Sequence, residues 1–213
     1  MEIIRYAKLK PVPWRNGGGV TREVASLPQN AAPGAAAGDG WDWRVSIAEV
    51  TRAGAFSRFA GMERVLTVVE GELLALTVDG AEHPLEKYRP YRFSGDAEAA
   101  GALPTGDIRD LNVITRTGAF KGYTAIIELS KKRAHPVFAG QFGILLQGQA
   151  TVSTGADTDA GEAAPQTLER YDAVVGSDTG TPEILGRGFL AVVSIDPAEP
   201  TEPSEPDAGN VAG

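Results

Sequence analysis

Arginine is the residue type whose placement in this 213-residue chain points most directly to chemistry. Arg44 is followed at intervals of two by Ser46 and Ala48, while Trp43, Val45 and Ile47 fill the alternate positions. On an extended strand the two sets lie on opposite faces, so Arg44 shares its face with side chains small enough to leave space before its guanidinium. Arg22 stands between Val20 and Val24, Arg64 shares a face with Leu66 and Val68, and Asp110, Asn112 and Arg116 fall on one face of another strand. An Arg flanked in this way often points inward, where an unpaired charge costs several kcal/mol. It must then meet an acid (Glu23, Glu49, Glu63, Glu70 and Asp110 are at hand) or a ligand. For each Arg alone an internal ion pair is the simpler reading. For the set, recognition of a small carboxylate stands equally open, because a planar guanidinium holds a carboxylate through two hydrogen bonds.

Other chemistries find less support. The chain has no Cys and only two His, His83 and His135, each followed by Pro. No His-x-His pair and no third histidine can be assembled, so a metal site is not expected. The segment PWRNGGGVTRE, residues 13–23, is Gly-rich but lacks a Gly-Lys-Ser/Thr ending. A strand rather than a helix follows it, so the helix N-terminus that would hold a phosphate is missing. Gly17 to Gly19 read as a tight corner or a close backbone approach. No Gly-x-Ser-x-Gly nucleophile elbow occurs. Glu23, His83 or Tyr88 could serve acid–base chemistry, but spacing alone reveals no pair.

The net charge of −8 resolves into a neutral body and acidic appendages. Asp157, Asp159 and Glu162 fall in residues 153–166, and Asp196, Glu199, Glu202, Glu205 and Asp207 in residues 196–213, with no Lys or Arg in either stretch. Without these, acids and bases balance, and no basic stripe suggests nucleic-acid binding. No apolar run approaches the length of a membrane span, and the charged opening segment is unlike a signal peptide, so a cytoplasmic protein is expected.

The elements that must position these residues have period two. Residues 43–48, 64–70, 73–78, 110–116, 123–129, 142–146 and 189–195 read as strands. Asp79-Gly80 marks a hairpin, and no helical period appears, so the chain reads as all-β. Residues 28–40, 153–166 and 196–213 are Ala/Gly/Pro-rich or acidic and are expected to be unstructured. A weak repeat links the halves: Val68-Val69-Glu70-Gly71-Glu72 precedes Leu85-Glu86-Lys87-Tyr88, and Leu145-Leu146-Gln147-Gly148-Gln149 precedes Leu168-Glu169-Arg170-Tyr171. Two related β units in one chain follow from it.

Four motifs, PWRNGGGVTRE, DWRVSIAEV (residues 42–50), GAFSRFAGMERVL (54–66) and DLNVITRTG (110–118), occur in an order and spacing that resemble the HutD/Ves family. Departures are mild: the family usually has Pro at Ala60, Asp at Glu63 and Arg at Thr117. The resemblance implies a double-cupin fold. Residues 1–118 would form a first lobe with the pocket, 119–195 a degenerate second lobe with room for strand exchange, and 196–213 a disordered acidic tail. It also implies a metal-independent, cofactor-free cytoplasmic protein linked to histidine catabolism, holding a small carboxylate such as urocanate or formiminoglutamate. Carried onto this chain, the pocket residues are Trp14, Arg15, Asn16, Arg22, Arg44, Ser46, Arg64, Asn112 and Arg116. A binding or regulatory role is favoured over catalysis. A metal-free cupin isomerase, epimerase or hydrolase and a protein-interaction module are the alternatives. Neither a nucleic-acid nor a membrane partner is expected, and a homodimer is allowed.

Overall fold

Apolar residues alternating with small or polar ones build strands throughout, as the computed structural model shows for residues 1–28, 40–154 and 164–199. The first half forms β1 (Glu2–Ile4), β2 (Pro11–Pro13), β3 (Gly19–Pro28), β4 (Trp41–Val50), β5 (Gly54–Ala55), β6 (Met62–Glu70), β7 (Leu73–Val78), β8 (Ala81–Glu86), β9 (Tyr91–Ser94), β10 (Ala99–Ala102) and β11 (Ile108–Arg116). The second half forms β12 (Phe120–Leu129), β13 (His135–Pro136), β14 (Gln141–Thr154), β15 (Gln166–Leu168), β16 (Ala173–Val175) and β17 (Pro182–Pro197). Apart from a 3-10 turn at Tyr6–Lys8, no helix occurs among the described residues, and none is long and apolar enough to cross a membrane. The chain is all-β, as its periodicity predicts.

A six-stranded antiparallel sheet, β2-β3-β4-β11-β6-β9, faces a four-stranded one, β5-β10-β7-β8. Between them Val50, Leu66, Val68, Leu74, Leu76 and Ile108 form one core. The other face of the six-stranded sheet carries Val45, Ile47, Val65, Leu111 and Val113, packed on Phe142, Ile144, Ala191 and Val193 of a seven-stranded sheet. That sheet buries Leu145, Val152, Val174, Ile184 and Leu190 on its own far side. Strand alternation thus lets one sheet serve two cores. The start of the chain belongs to the second half's sheet: Glu2 pairs with Val175, and Arg5 reaches Asp172 at 2.7 Å.

The expected unstructured stretches are shorter at their edges than composition suggested. Pro28 ends β3, Ser153 and Thr154 end β14, Gln166 starts β15, and Asp196 and Pro197 end β17. Backbone pairing overrides composition there, since Ser153 and Thr154 face Glu183 and Pro182, and Asp196 and Pro197 face Lys121 and Phe120. Residues 29–39, 155–163 and 200–213 of those stretches lie outside the described residues.

The weak repeat is a structural one. Tyr88 and Tyr171 both adopt left-handed backbone, φ 66° and 69°, which is rare for a bulky side chain. Their N–H groups donate to Val68 and Leu145 at 2.8 and 2.6 Å. A glycine with positive φ recurs in each half, Gly71 at 83° between β6 and β7 and Gly148 at 101° inside β14, where it pairs with Gly188. At Gly148 a side chain would also strike the Arg187 backbone.

Candidate functional site

The register of the six-stranded sheet lays its polar residues out in rows. Arg44 of β4 pairs with Ile114 of β11, which pairs with Arg64 of β6, itself opposite Phe93 of β9. One row along, Glu23 of β3 faces Ser46, which faces Asn112. Strands stand about 4.8 Å apart, so two guanidiniums rise from one face roughly 10 Å apart at their backbones. They open on a cavity of about 600 Å³. The segment after β5 closes it with Phe56, Ser57, Arg58 and Phe59, and the loop before β3 with Trp14, Arg15 and Asn16.

Each cation is held by aromatic faces. Phe59 lies against both, 5.5 Å from the Arg44 guanidinium carbon and 5.3 Å from that of Arg64. Trp41 flanks Arg44 at 4.8 Å, and Phe56 and Phe93 flank Arg64 at 5.7 and 4.9 Å. Cation–π contact of this kind orients a guanidinium without neutralising it.

Arg64 is 3% exposed and forms one end of a buried chain. It donates to the Asn112 side-chain oxygen at 2.9 Å and to the Ser57 carbonyl at 3.3 Å. The Asn112 amide donates in turn to Asp110, which is fully buried. Burial lowers the Arg64 pKa to about 10, against the attraction of Asp110 and aided by the repulsion of Arg44. Burial likewise pushes Asp110 up to about 7, and Arg64 is the charge opposing that rise. Among the described residues the Nε of Arg64 and the second oxygen of Asp110 have no hydrogen-bond partner, an uncommon state for buried polar atoms.

The Gly-rich corner has a packing reason. A side chain on Gly19 would collide with the Glu49 carbonyl and stand 3.1 Å from the Trp14 ring. Trp14 is pinned by its indole N–H to the Thr21 hydroxyl at 2.8 Å, and the Asn16 oxygen accepts from the Gly18 N–H at 3.0 Å. The loop therefore packs its aromatic side chain against the strand at the cavity mouth.

The structure brings Trp14, Arg15, Asn16, Arg44, Ser46, Arg64 and Asn112 around this cavity. It does not bring Arg22 or Arg116 there. Arg22 pairs in register with Ile47, on the opposite face of the sheet, and bonds Glu49 and the Tyr6 hydroxyl. Arg116, at the end of β11, turns to Asp42 at 2.6 Å and the Trp41 carbonyl at 3.3 Å. Both are spent on internal partners. Phe56, Arg58 and Phe59 were missed by counting strand faces because they lie off the regular strands, although the motif around residues 54–66 contains them.

The lining suits an anion. Arg15, Arg44, Arg58 and Arg64 contribute cations against Glu23, which is exposed and accepts from Ser26 at 2.7 Å. No three His, Asp or Glu side chains among the described residues come together as a metal would need. The donor set of two Arg, an Asn and a Ser does not fit a cation.

A HutD family model matches residues 6–192. An uncharacterised 21.2 kDa protein encoded in the hutC 3′ region of Pseudomonas putida is 37% identical over 115 residues, 54% of this chain and 57% of that relative, so this match spans less than two thirds of its length. Protein Ves of Citrobacter koseri is 33% identical over 147 residues, 68% of this chain and 71% of the relative. HutD from Pseudomonas fluorescens, solved in a formate condition, superposes with a TM-score of 0.70 at 26% identity, covering 93% of this chain and 99% of that one. Oxalate decarboxylase of Lactobacillus farciminis shares the cupin fold alone, with a TM-score of 0.60 at 9% identity over 94% of this chain and 86% of the other. With the match running through both halves of a double-cupin β structure, the chain belongs to the HutD family.

Proposed function

We propose that this protein binds a small carboxylate in its first-lobe cavity and has a regulatory or accessory role in histidine utilisation, working in the cytoplasm. The observation that carries the reading is the pairing of Arg44 and Arg64 across one strand, both braced by Phe59 and both on the cavity wall. The pathway rests on family membership and on the relative encoded beside hutC. The formate condition of the Pseudomonas fluorescens structure is compatible with an acid of this class. A carboxylate placed between the guanidiniums could take two hydrogen bonds from either, in a site screened from water by Phe56 and Phe59.

A thermal-shift screen against urocanate, formiminoglutamate, glutamate, histidine and formate tests the reading. A ligand present at a hundredfold excess over Kd stabilises the native state by about 2.7 kcal/mol, a shift of a few degrees for a chain of this size. Arg44→Met should abolish that shift in a protein that still melts cooperatively. A shift that survives Arg44→Met places the ligand elsewhere and overturns the assignment. Absence of any shift with all five acids removes the histidine-pathway acids from consideration.

A further inference from the structure

The second half of the chain contains the counterpart of this cavity, residue for residue. In β6 and β11 the register reads Arg109 opposite Glu70, then an irregularity, then Asp110 opposite Val68, Asn112 opposite Leu66 and Ile114 opposite Arg64. In β14 and β17 it reads Phe189 opposite Gln147, then the same irregularity, then Leu190 opposite Leu145, Val192 opposite Gly143 and Ser194 opposite Gln141. The third strand agrees: Arg44, Ser46 and Ala48 pair with Ile114, Asn112 and Asp110, as Tyr123, Ala125 and Ile127 pair with Ser194, Val192 and Leu190. The two halves also exchange equivalent contacts. The Tyr171 hydroxyl donates to Glu70 at 2.6 Å and the Tyr88 hydroxyl to Gln147 at 3.3 Å. Tyr171 meets the Arg109 guanidinium at 5.4 Å, and Tyr88 meets the Phe189 ring at 5.0 Å.

Tyr123, Ala125, Ile127, Gln141, Val192 and Ser194, the counterparts of Arg44, Ser46, Ala48, Arg64, Asn112 and Ile114, all line a second cavity of about 410 Å³. The position is shared while its charge is not. Where the first lobe has Arg44 and Arg64, the second has a phenol and an amide, and the place of buried Asp110 is taken by Leu190. His135 also lines the cavity, and burial lowers its pKa by disfavouring the charged form. Among the described residues no Lys, Arg, Asp or Glu lines the space. Arg92 stacks on Tyr123 at 5.2 Å but is bound to Glu63 and the Gly122 carbonyl.

Two of the most exposed large apolar residues of the described chain, Tyr123 at 47% and Phe138 at 50%, sit together at this cavity. Exposed aromatics beside a concave apolar wall are a ligand-binding arrangement, since ring faces contribute much contact area at little entropy cost. The polar edge is defined as well. The Gln141 oxygen accepts from the Phe138 N–H at 3.0 Å and its amide donates to the Ser194 hydroxyl oxygen at 3.1 Å. That fixes the amide orientation and leaves one amide N–H and the Ser194 hydroxyl proton as donors for a carbonyl.

We propose that the second lobe holds a separate binding site for an uncharged planar ligand bearing a carbonyl acceptor, stacked by Tyr123 and Phe138 and hydrogen-bonded by Gln141 and Ser194. A carboxylate is disfavoured because no cation among the described lining residues would offset the cost of burying its charge. This site does not depend on the ligand of the first lobe.

Benzamide and benzoate, nearly equal in shape and opposite in charge, provide the test. Titration followed by NMR should show saturable benzamide binding with shifts at Tyr123, Phe138 and the Gln141 side chain, and at least tenfold weaker benzoate binding there. Ala125→Phe fills the cavity and should abolish the benzamide response. Gln141→Arg with Val192→Asn, which restores first-lobe residues, should invert the preference towards benzoate. Melting of each variant within a few degrees of the parent establishes that it is folded. Should Ala125→Phe unfold the chain, the benzamide-to-benzoate ratio in the parent protein decides alone. Non-saturable benzamide binding, equal binding of benzoate, or binding unaffected in folded Ala125→Phe each overturns the proposal.

Discussion

A carboxylate binding at Arg64 should draw a proton into the protein core. Asp110 is fully buried, its pKa stands at about 7, and Arg64 is the charge that keeps it from rising further. Asn112 lies between them, accepting from Arg64 and donating to Asp110. A ligand carboxylate on the cavity side of Arg64 places a second anion on the order of 8 Å from Asp110. At an effective dielectric of about 20 the repulsion is roughly 2 kcal/mol, or about 1.5 pKa units. Asp110 in the complex then titrates at higher pH than in the free protein, where it stands at about 7. Between the two midpoints the complex holds a proton that the free protein lacks, so affinity falls as pH rises, by up to tenfold per pH unit and about 30-fold across the window.

Formate, which does not titrate between about pH 6 and 9, is the suitable probe. Its Kd across that range, and calorimetry in two buffers of different ionisation enthalpy near pH 7.5, report the proton count directly. Asp110→Asn should bind formate with a Kd independent of pH and with no buffer dependence of the enthalpy. A flat Kd in the parent protein, or an unchanged slope in Asp110→Asn, refutes the reasoning. If Asp110→Asn does not fold, the buffer dependence of the parent protein settles the matter.

Stability should respond to the same group. The folded pKa of Asp110 lies above its unfolded value near 3.9, so the stability it contributes is complete below about pH 4 and is lost as pH rises through about 7. Between pH 5 and 8 the parent should lose about 2–3 kcal/mol relative to Asp110→Asn in urea titrations. Arg22→Met should leave carboxylate binding within twofold while costing about 1–2 kcal/mol of stability, because Arg22 serves the partly exposed Glu49 and Tyr6; binding that falls as far as in Arg44→Met would return Arg22 to the site. Tyr171→Phe, which removes the 2.6 Å bond to Glu70 between the halves, should cost about 1–2 kcal/mol by urea denaturation with formate binding unaltered. Gly19→Ala drives a methyl onto the Glu49 carbonyl and the Trp14 ring and should cost about 1–3 kcal/mol and weaken formate binding several-fold as the mouth loop shifts.

Period-two alternation carried the first-lobe site as far as it can. It put Arg44 beside Ser46, Arg64 beside Leu66, and Asp110 beside Asn112, and each pair does share a face. What alternation lacks is register. Arg22 was placed with apolar neighbours, but only its pairing with Ile47, which lies on the face opposite Arg44, shows that it turns from the cavity. The irregularity between Glu23 and Ala25 then breaks the count along β3. Arg116 is on the expected face, yet it ends its strand within reach of Asp42, and a strand end lets a long side chain choose. Phe56 and Phe59 have no periodic signature at all, being held by backbone bonds such as Phe56 N–H to Ala99 and Phe59 N–H to Gly95.

The second lobe shows the converse limit. Its repeat was legible because backbone geometry constrains residue type: Gly71 and Gly148 both take positive φ, and a left-handed Tyr follows in each half. Its cavity was not legible, because the residues that would announce it have been exchanged for Gln141, Tyr123 and Val192, none of which suggests chemistry alone. Backbone register, set by ladder hydrogen bonds and one shared irregularity, outlasts the side chains it positions. Degeneracy in such a lobe therefore describes the loss of one chemistry and does not establish the loss of a site. Placing Arg and Asn at residues 141 and 192 tests that distinction, because anion binding can appear only if the shared register positions them as it positions Arg64 and Asn112.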